Sequence, residues 1–402
     1  MLRSRRMIRI PRPVLLLGVA ALVAAIAASP AHAAKRKVPF GFFAVAAPPE
    51  MFDSSVVPDL ALEAQFGLMA RSGVESVRVT PAWYALEGSP GAYDFTTLDR
   101  IVAAASRRRI ATLINPTATP PWISSRPNSP ESSRFPPRSP APYAELMRQL
   151  VLRYGPSGTF WAQNPGIPRV PVRQWQIWNE QNAPWHWQQR RWAPGYTALL
   201  KAAYRAIKGV DRGATVIAGS VVAAPGRSQW GAVRQLYRAR AKRWFDALSV
   251  HPFTNNERSV SGTMNQLLEI IRRVRAETRR RRDSRVPIMI TELSWPASVG
   301  SIPRSAQLGI ETTKRGQVRR LEAGYRTLAR ARRKLRITHA YWYTWATQYD
   351  NNAPASVISF RYAGLTRLRA GQFQRMPILR TYARVAARYE GCRKRANARR
   401  CR

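Results

Sequence analysis

Acidic residues, histidine and cysteine are all scarce in this chain of 402 residues. Asp and Glu number 22 against 66 Lys and Arg, which gives a formal net charge of +44. The four histidines and two cysteines show no metal-ligand spacing. No apolar, strand-like segment is followed by a glycine-rich phosphate loop, which argues against a nucleotide cofactor. We therefore expect neither a metal ion nor an organic cofactor.

Both cysteines, Cys392 and Cys401, lie in a basic tail that we assign to residues 391–402. In an oxidising compartment such a pair is able to close a small loop that fastens the tail. We expect no catalytic role for either thiol.

Only one long apolar run is present, and it lies at the N-terminus. Five arginines precede the apolar residues 14–28, and Ala31-His32-Ala33 follows with the small-x-small pattern of a cleavage site. This order is typical of a secretory signal peptide, which we assign to residues 1–33. The run is shorter than the about 20 residues of a membrane span, and an uncleaved anchor is the alternative. We expect an exported, extracellular protein without a membrane span after signal cleavage.

The positive charge persists when the five arginines of the signal peptide are removed, which leaves +39 by this count. A field of this sign attracts polyanions. One interpretation is association with an acidic polysaccharide or a cell wall. The alternative, which we favour, is a compositional bias toward arginine with the charges on solvated helix faces. We find no recognisable nucleic-acid-binding module, so nucleic acid is not an expected partner.

Apolar segments with strand character alternate with segments of helical periodicity along residues 34–390. Alternation of this kind implies parallel strands joined by crossover helices. Eight such units favour an α/β fold closed into a (β/α)8 TIM barrel, with an open doubly wound sheet as the alternative. The predicted strands are 38–45, 74–79, 110–114, the segment that leads to Glu180, 215–219, 245–251, 287–292 and 337–345.

Two predicted strands end in a glutamate. Glu180 follows the segment 175–178, and Glu292 follows the segment 287–290. Removing a carboxylate from water is costly, so its position at the end of a buried strand calls for a chemical reason. Cleavage of a glycosidic bond needs one carboxylic acid and one carboxylate on either side of the anomeric carbon. We predict these two residues as the catalytic pair, with ordinary strand-end residues as the alternative.

Further polar and aromatic residues lie at or near strand ends, where a barrel gathers its active site. A positive charge beside the nucleophile favours its ionised form, and aromatic rings stack on the apolar faces of sugars. The alternatives are a structural ion pair for the arginine, a core position for the histidine and packing for the tryptophans. The predicted substrate-binding residues are Arg78, Asn179, Trp185, His251, Trp295 and Trp345.

The stretch Trp178-Asn179-Glu180-Gln181-Asn182 resembles the W-N-E-x-N pattern of a large superfamily of retaining (β/α)8 glycoside hydrolases, with β-xylosidase-like and cellulase-like members. Ile290-Thr291-Glu292 is similar to the nucleophile strand of that group.

The resemblance implies that Glu180 is the acid/base and Glu292 the nucleophile. It also implies that Asn179 holds the substrate 2-hydroxyl and that Arg78 supports the nucleophile.

One position departs from the family pattern. Many relatives read His-Pro-Tyr at strand six and place the tyrosine hydroxyl near the nucleophile, whereas this chain has Phe253. Tyr341 and Tyr343 are the candidates to replace that hydroxyl.

These features predict a secreted retaining glycoside hydrolase that cleaves β-glycosidic bonds in oligo- or polysaccharides by double displacement. The alternative from another class is a non-catalytic barrel that binds a carbohydrate or an acidic polymer. A transglycosylase is a third possibility, because only the acceptor differs from that of a hydrolase.

Overall fold

The computed structural model describes residues 35–255, 257–348, 355–392 and 395–401. The predicted signal peptide lies outside these residues. Within them, no helix combines the length and the apolar character needed to cross a membrane.

Eight parallel strands close into a barrel, which confirms the predicted fold class. Nearly every strand residue is buried, because barrel side chains face either the interior or the surrounding helices. We number the barrel strands in chain order: β1 Phe43–Ala47, β2 Ser76–Val79, β3 Ala111–Ile114, β4 Gln174–Ile177, β5 Thr215–Val221, β6 Ala247–Val250, β7 Ile288–Leu293 and β8 Ile337–Tyr343.

Helices connect the strands and cover the barrel. Ser228, Ser259 and Thr313 cap three of them, each hydroxyl accepting a hydrogen bond from the backbone N–H three residues on. The helices are Asp59–Arg71, Trp83–Leu86, Thr96–Arg107, Ala141–Tyr154, Thr159–Gln163, Trp192–Val210, Gln229–Arg238, Val260–Arg280, Lys314–Leu335 and Pro377–Glu390.

The first and last strands differ from the predicted bounds. β1 begins at Phe43 rather than Val38, because the chain turns at Gly41 with a φ of +86°. The His339 ring lies 2.7 Å from the position of a β-carbon at Gly41, so the turn also needs a residue without a side chain. β8 ends at Tyr343 rather than Trp345. An apolar run in the sequence indicates buried residues. Because the chain stays buried beyond the ends of a strand, the run is longer than the strand itself.

Three small sheets were not predicted. Two are hairpins, Glu87–Ser89 with Ala92–Tyr93 and Arg395–Asn397 with Arg400–Cys401. The third has three strands after β8, which are Ala346–Gln348, Thr366–Arg369 and Gln372–Arg375. In the tail, Cys392 is disulfide-bonded.

A layer of apolar side chains fills the barrel interior. Tyr341 belongs to this layer, and its hydroxyl lies 2.8 Å from Ser76 Oγ, at the first residue of β2. The layer separates the N-terminal ends of the strands from the polar site at their C-terminal ends. Its members are Ala44, Leu113, Ile217, Ala247, Met289 and Tyr341.

Candidate active site

Six strands deliver polar side chains to the C-terminal end of the barrel, where (β/α)8 enzymes place their active sites. All of these side chains are buried, so each needs a polar partner. They are Arg78 on β2, Asn115 after β3, Asn179 and Glu180 after β4, Ser220 on β5, His251 after β6, and Thr291 and Glu292 on β7.

Glu180 and Glu292 face one another across a short gap. One carboxylate oxygen of each and one ring nitrogen of His251 all lie within 4.8 Å of one another. His251 Nδ1 lies 2.7 Å from Glu180 Oε1 and 3.6 Å from Glu292 Oε2. A single reacting atom bound in this gap therefore has access to both carboxyl groups.

Arg78 orders the Glu292 side of the gap. Its guanidinium Nη1 donates to Glu292 Oε1 at 2.7 Å, and Nη2 donates to Asn115 Oδ1 at 2.6 Å and to Asn179 Oδ1 at 2.7 Å. Nε donates to Gln176 Oε1 at 3.2 Å. Because these four acceptors come from β3, β4 and β7, Arg78 fixes three strand ends relative to each other.

The turn that carries Glu180 has an unusual backbone. Trp178 and Glu180 have φ angles of +66° and +42°, in the left-handed region that residues with a side chain rarely adopt. The Trp178 N–H donates to the Tyr143 hydroxyl at 3.3 Å, and its indole N–H donates to the His186 carbonyl at 2.9 Å. These contacts hold Asn179 and Glu180 toward the barrel axis. Backbone strain of this kind is common at functional sites.

Asn115, Gln176 and Ser220 belong to this network but were not predicted. Asn115 Nδ2 donates to the carbonyls of Gln176 at 3.2 Å and Trp178 at 2.9 Å, and the Ser220 hydroxyl donates to Asn179 Oδ1 at 2.9 Å. Asn115 carries the same signal as Glu180, a polar residue directly after an apolar strand. Ser220 carries a weaker signal, since a buried serine within a strand has many structural explanations.

The three predicted tryptophans take different positions. Trp185 is 39% exposed and donates its indole N–H to Glu180 Oε2 at 2.6 Å, so it lies at the cleft. Trp295 and Trp345 are 1% and 0% exposed. Their indole N–H groups donate to Thr254 Oγ1 at 2.8 Å and to Gln65 Oε1 at 3.1 Å, respectively. The structure therefore does not bring these two rings to the cleft surface.

The aromatic neighbours of the site include Tyr343. Its ring centroid lies 5.1 Å from that of Phe360, which in turn lies 5.5 Å from that of Phe253. Burial raises the pKa of Tyr343 above its usual range, and the charge of Glu292 adds to this effect. Tyr343 therefore lies within electrostatic reach of Glu292, whereas the Tyr341 hydroxyl contacts Ser76.

His251 is a neutral imidazole at this site. Burial, opposed by the charge of Glu292 and assisted by that of Arg78, lowers the pKa of His251 to about 3. Its Nε2 lies 2.9 Å from Thr291 Oγ1. A neutral histidine has one donor and one acceptor nitrogen, and which is which follows the partners.

The atoms of Glu180, His251 and Glu292 that surround the gap are also of the type that binds a divalent cation. Arg78 already donates to Glu292, and its guanidinium places a positive charge beside the same gap. A cation there would be repelled by this charge. The expectation of a metal-independent site remains a prediction.

One comparison with known families concerns the first part of the barrel. Residues 54–134 match the glycoside hydrolase family 42 model described as β-galactosidase. The matched segment contains Arg78 and Asn115 and ends before Glu180 and Glu292. No curated protein matches the chain.

Solved structures of glycoside hydrolases share the fold. A family 39 enzyme from Bacteroides cellulosilyticus is 20% identical with a TM-score of 0.58, over 88% of this chain and 64% of that one. A β-xylosidase from Caulobacter crescentus is 18% identical with a TM-score of 0.56, over 88% and 69%. A family 5 enzyme from Bifidobacterium longum, solved with Manβ1-4GlcNAc, is 15% identical with a TM-score of 0.60, over 87% and 78%.

The protein is a (β/α)8 barrel, the fold of the solved glycoside hydrolases to which it is similar. One segment of the barrel matches a glycoside hydrolase family model, and two strand-end glutamates face one another at the C-terminal end. At these levels of identity the solved structures describe the fold, while the substrate and the chemical outcome depend on the site.

Proposed function

We propose that the protein is an exported retaining glycoside hydrolase that cleaves β-linked glycans. The observation that carries this proposal is the gap of at most 4.8 Å between a carboxylate oxygen of Glu180 and one of Glu292. Retaining enzymes use carboxyl groups about 5 to 5.5 Å apart, whereas inverting enzymes leave about 6.5 to 9.5 Å for a water molecule. The short gap favours direct attack by a carboxylate.

Glu292 is the nucleophile in this mechanism and Glu180 the acid/base. Glu292 attacks the anomeric carbon while Glu180 protonates the departing oxygen, which yields a glycosyl-enzyme and a free alcohol. Glu180 then removes a proton from water, and the resulting attack releases the sugar with its original anomeric configuration. Arg78 holds the Glu292 carboxylate in place through its 2.7 Å ion pair.

His251 is able to stay hydrogen-bonded to Glu180 in both steps. When Glu180 is ionised, His251 Nδ1–H donates to it and Nε2 accepts from the Thr291 hydroxyl. When Glu180 is protonated, its carboxyl donates to Nδ1 and Nε2–H donates to Thr291. When Glu180 gains or loses its proton, the buried His251 ring therefore changes tautomer and stays uncharged.

The test is turnover of a panel of aryl β-glycosides that includes xyloside, glucoside, galactoside, mannoside and arabinoside. Wild type is compared with Glu292→Ala and Glu180→Ala, and the anomer of the first product is read by NMR. We expect turnover with retention in the wild type and none in Glu292→Ala. Release of the inverted anomer would refute the retaining mechanism.

The second candidate is a non-catalytic barrel that binds an acidic polymer, which the net charge of +44 favours. Silence across the panel and across polymeric glycans, with binding that persists in Glu180→Ala/Glu292→Ala, would support this candidate. Transglycosylation is distinguished by adding an acceptor sugar and looking for a longer product.

A further inference from the structure

Positive charge is unevenly distributed over the helices around the barrel. Asp59–Arg71, Thr96–Arg107 and Ala141–Tyr154 together contain five basic and four acidic residues. Val260–Arg280 and Lys314–Leu335 together contain fourteen basic and three acidic residues. A uniform compositional bias predicts similar ratios on all helices. The helices Trp192–Val210, Gln229–Arg238 and Pro377–Glu390 are also basic, with eight basic residues and one acidic residue in total. The excess therefore begins with the helix after β4 and is largest in number on Lys314–Leu335, which has nine basic residues and one acidic residue.

Five exposed arginines of helix Lys314–Leu335 form a single row, which we call the basic stripe. At 100° per residue their directions fall within about 60° of each other, and at 1.5 Å per residue the row extends about 27 Å. The buried residues of the helix, such as Leu321 and Leu328, point the opposite way. The stripe consists of Arg315, Arg319, Arg326, Arg330 and Arg333.

The stripe arginines have no acidic partner within the described part of the chain. By contrast, four of the five arginines of the early helices pair with a carboxylate, as Arg100 does with Asp59. Glu322, the one acidic residue of helix Lys314–Leu335, contacts Arg384 at 3.1 Å and Arg388 at 3.8 Å. The stripe thus keeps its full charge for a partner outside the described chain.

One end of the stripe lies beside the catalytic face. Helices that follow barrel strands run back along them, so their N-termini lie near the C-terminal strand ends. A cavity of about 780 Å³ at this end is lined by Arg315 and Arg319 together with Arg258, Arg320, Glu257 and Glu311. The four arginines outnumber the two glutamates, so the cavity adds to the positive surface at this end of the helix.

Arg320 adds a buried charge to this cavity. It is 5% exposed, and its guanidinium donates to neutral oxygens only, those of Thr263, Thr312 and the carbonyls of Glu257 and Arg258. Burial lowers the pKa of Arg320, and Glu257 opposes the shift. A buried guanidinium without a carboxylate contact strengthens the attraction of the cavity for anions.

We propose that the basic stripe binds a linear anionic glycan, with carboxylate, sulfate or phosphate groups along its length, and leads it over the rim toward Glu180 and Glu292. This inference rests on the proposed glycosidase function. A row one residue wide fits a single polymer chain better than a flat bilayer or a double-stranded nucleic acid. Its position beside the sugar cleft favours a glycan.

The experiment measures binding of polygalacturonate, dextran sulfate and neutral dextran at low salt. All proteins carry Glu292→Ala, so the result does not depend on turnover. The test variant is Arg326→Gln/Arg330→Gln/Arg333→Gln. The matched control removes three exposed arginines without ion-pair partners in the described chain, Arg71→Gln/Arg169→Gln/Arg212→Gln. A third variant, Arg326→Lys/Arg330→Lys/Arg333→Lys, retains the charge.

We expect the test variant to weaken binding of both anionic glycans about tenfold and the control by less than about threefold. Binding of neutral dextran should change in neither the test nor the control variant. The Lys variant should bind nearly as well as the parent, and it replaces the Gln variant if that fails to fold. An equal loss of binding in the test and control variants would show that the basic stripe is not the binding site. Equal affinity for double-stranded DNA or phosphatidylglycerol vesicles would overturn the assignment to a glycan.

Discussion

Trp185 donates its indole N–H to Oε2 of Glu180 across 2.6 Å, although it lies on a loop and is 39% exposed. The other carboxylate oxygen, Oε1, contacts the fully buried His251 at 2.7 Å. One oxygen of the acid/base residue is therefore held by the barrel itself and the other by a side chain at the surface of the cleft.

The first prediction concerns this loop contact. Trp185→Phe keeps the ring but removes the N–H, so Glu180 loses part of its orientation. We expect kcat/KM to fall about tenfold for glycosides with poor leaving groups, which depend on proton donation. Dinitrophenyl glycosides, which need little protonation, should be affected much less.

Steady-state kinetics across a leaving-group series measures this difference. Trp122→Phe is the control, because the Trp122 indole donates to the Glu87 carbonyl and not to a catalytic carboxylate. An equal loss for all leaving groups would instead indicate that Trp185 binds the sugar.

The second prediction concerns the buried ion pair of Arg78 and Glu292. Arg78→Met leaves the Glu292 carboxylate buried without its counter-charge, which costs about 3 to 5 kcal/mol of unfolding free energy. The double variant Arg78→Met/Glu292→Gln removes the lone charge and should recover part of this loss, although it is inactive. Urea denaturation at pH 7 measures both. A double variant no more stable than Arg78→Met would show that the three other acceptors of Arg78 dominate.

The eight strands and the glutamate pair could be predicted from sequence because their signals are local. Apolar segments that alternate with helical segments predict the strands. A carboxylate directly after an apolar segment predicts the catalytic end of the barrel. The predicted proximity of Arg78 to Glu292 agrees with their 2.7 Å contact. Their catalytic roles remain predictions.

The positions of Trp295 and Trp345 could not be predicted in this way. A tryptophan beside a strand end has the same local pattern whether its ring faces the cleft or the surrounding helices. The direction depends on distant partners, since Trp345 contacts Gln65 on the first helix and Trp295 packs against Trp342. The Asn115 contacts with Arg78 and Trp178 likewise depend on the closure of the barrel.

The third prediction is a pH dependence of stability. His251 has a pKa of about 3 in the folded protein against about 6.5 when unfolded. The unfolded chain binds more protons between these values, so this contribution is complete above about pH 6.5 and is lost as the pH falls toward 3. The slope for one such group is about 1.4 kcal/mol per pH unit.

His251→Asn should make the unfolding free energy less dependent on pH between pH 6 and 4. The slope should fall by about 1.4 kcal/mol per pH unit, which corresponds to one proton. Part of the slope will remain, because burial also lowers the pKa of His339, to about 4. Chemical denaturation at several pH values measures the slopes, and His339→Asn is the matched variant. An unchanged slope in His251→Asn would mean that the folded protein binds a proton at His251 in this range.

The fourth prediction is that catalysis does not need a metal ion. Arg78 already donates to Glu292, and the proposed mechanism assigns no step to a cation. Dialysis against EDTA should therefore leave kcat/KM unchanged within about twofold. Loss of activity that one particular divalent cation restores would contradict the mechanism and would favour metal binding by Glu180, His251 and Glu292.

The fifth prediction concerns the hydroxyl missing at Phe253. Tyr343 lies within electrostatic reach of Glu292, and its ring connects to Phe253 through Phe360. Tyr341 lies on the same strand, but its hydroxyl contacts Ser76 at the opposite end of the barrel. Of the two candidates, Tyr343 is therefore the residue placed to influence the nucleophile.

Tyr343→Phe should lower kcat about tenfold, since it removes a polar group near the charge that changes during attack. Tyr341→Phe should leave kcat unchanged and lower the unfolding free energy by about 1 to 3 kcal/mol, because it leaves Ser76 without its buried partner. Phe253→Tyr in the Tyr343→Phe background tests whether the family hydroxyl restores activity. Equal kcat in Tyr343→Phe and wild type would show that this site works without a tyrosine hydroxyl beside Glu292. Arg78 would then be the only strong hydrogen-bond donor to Glu292 among the described residues.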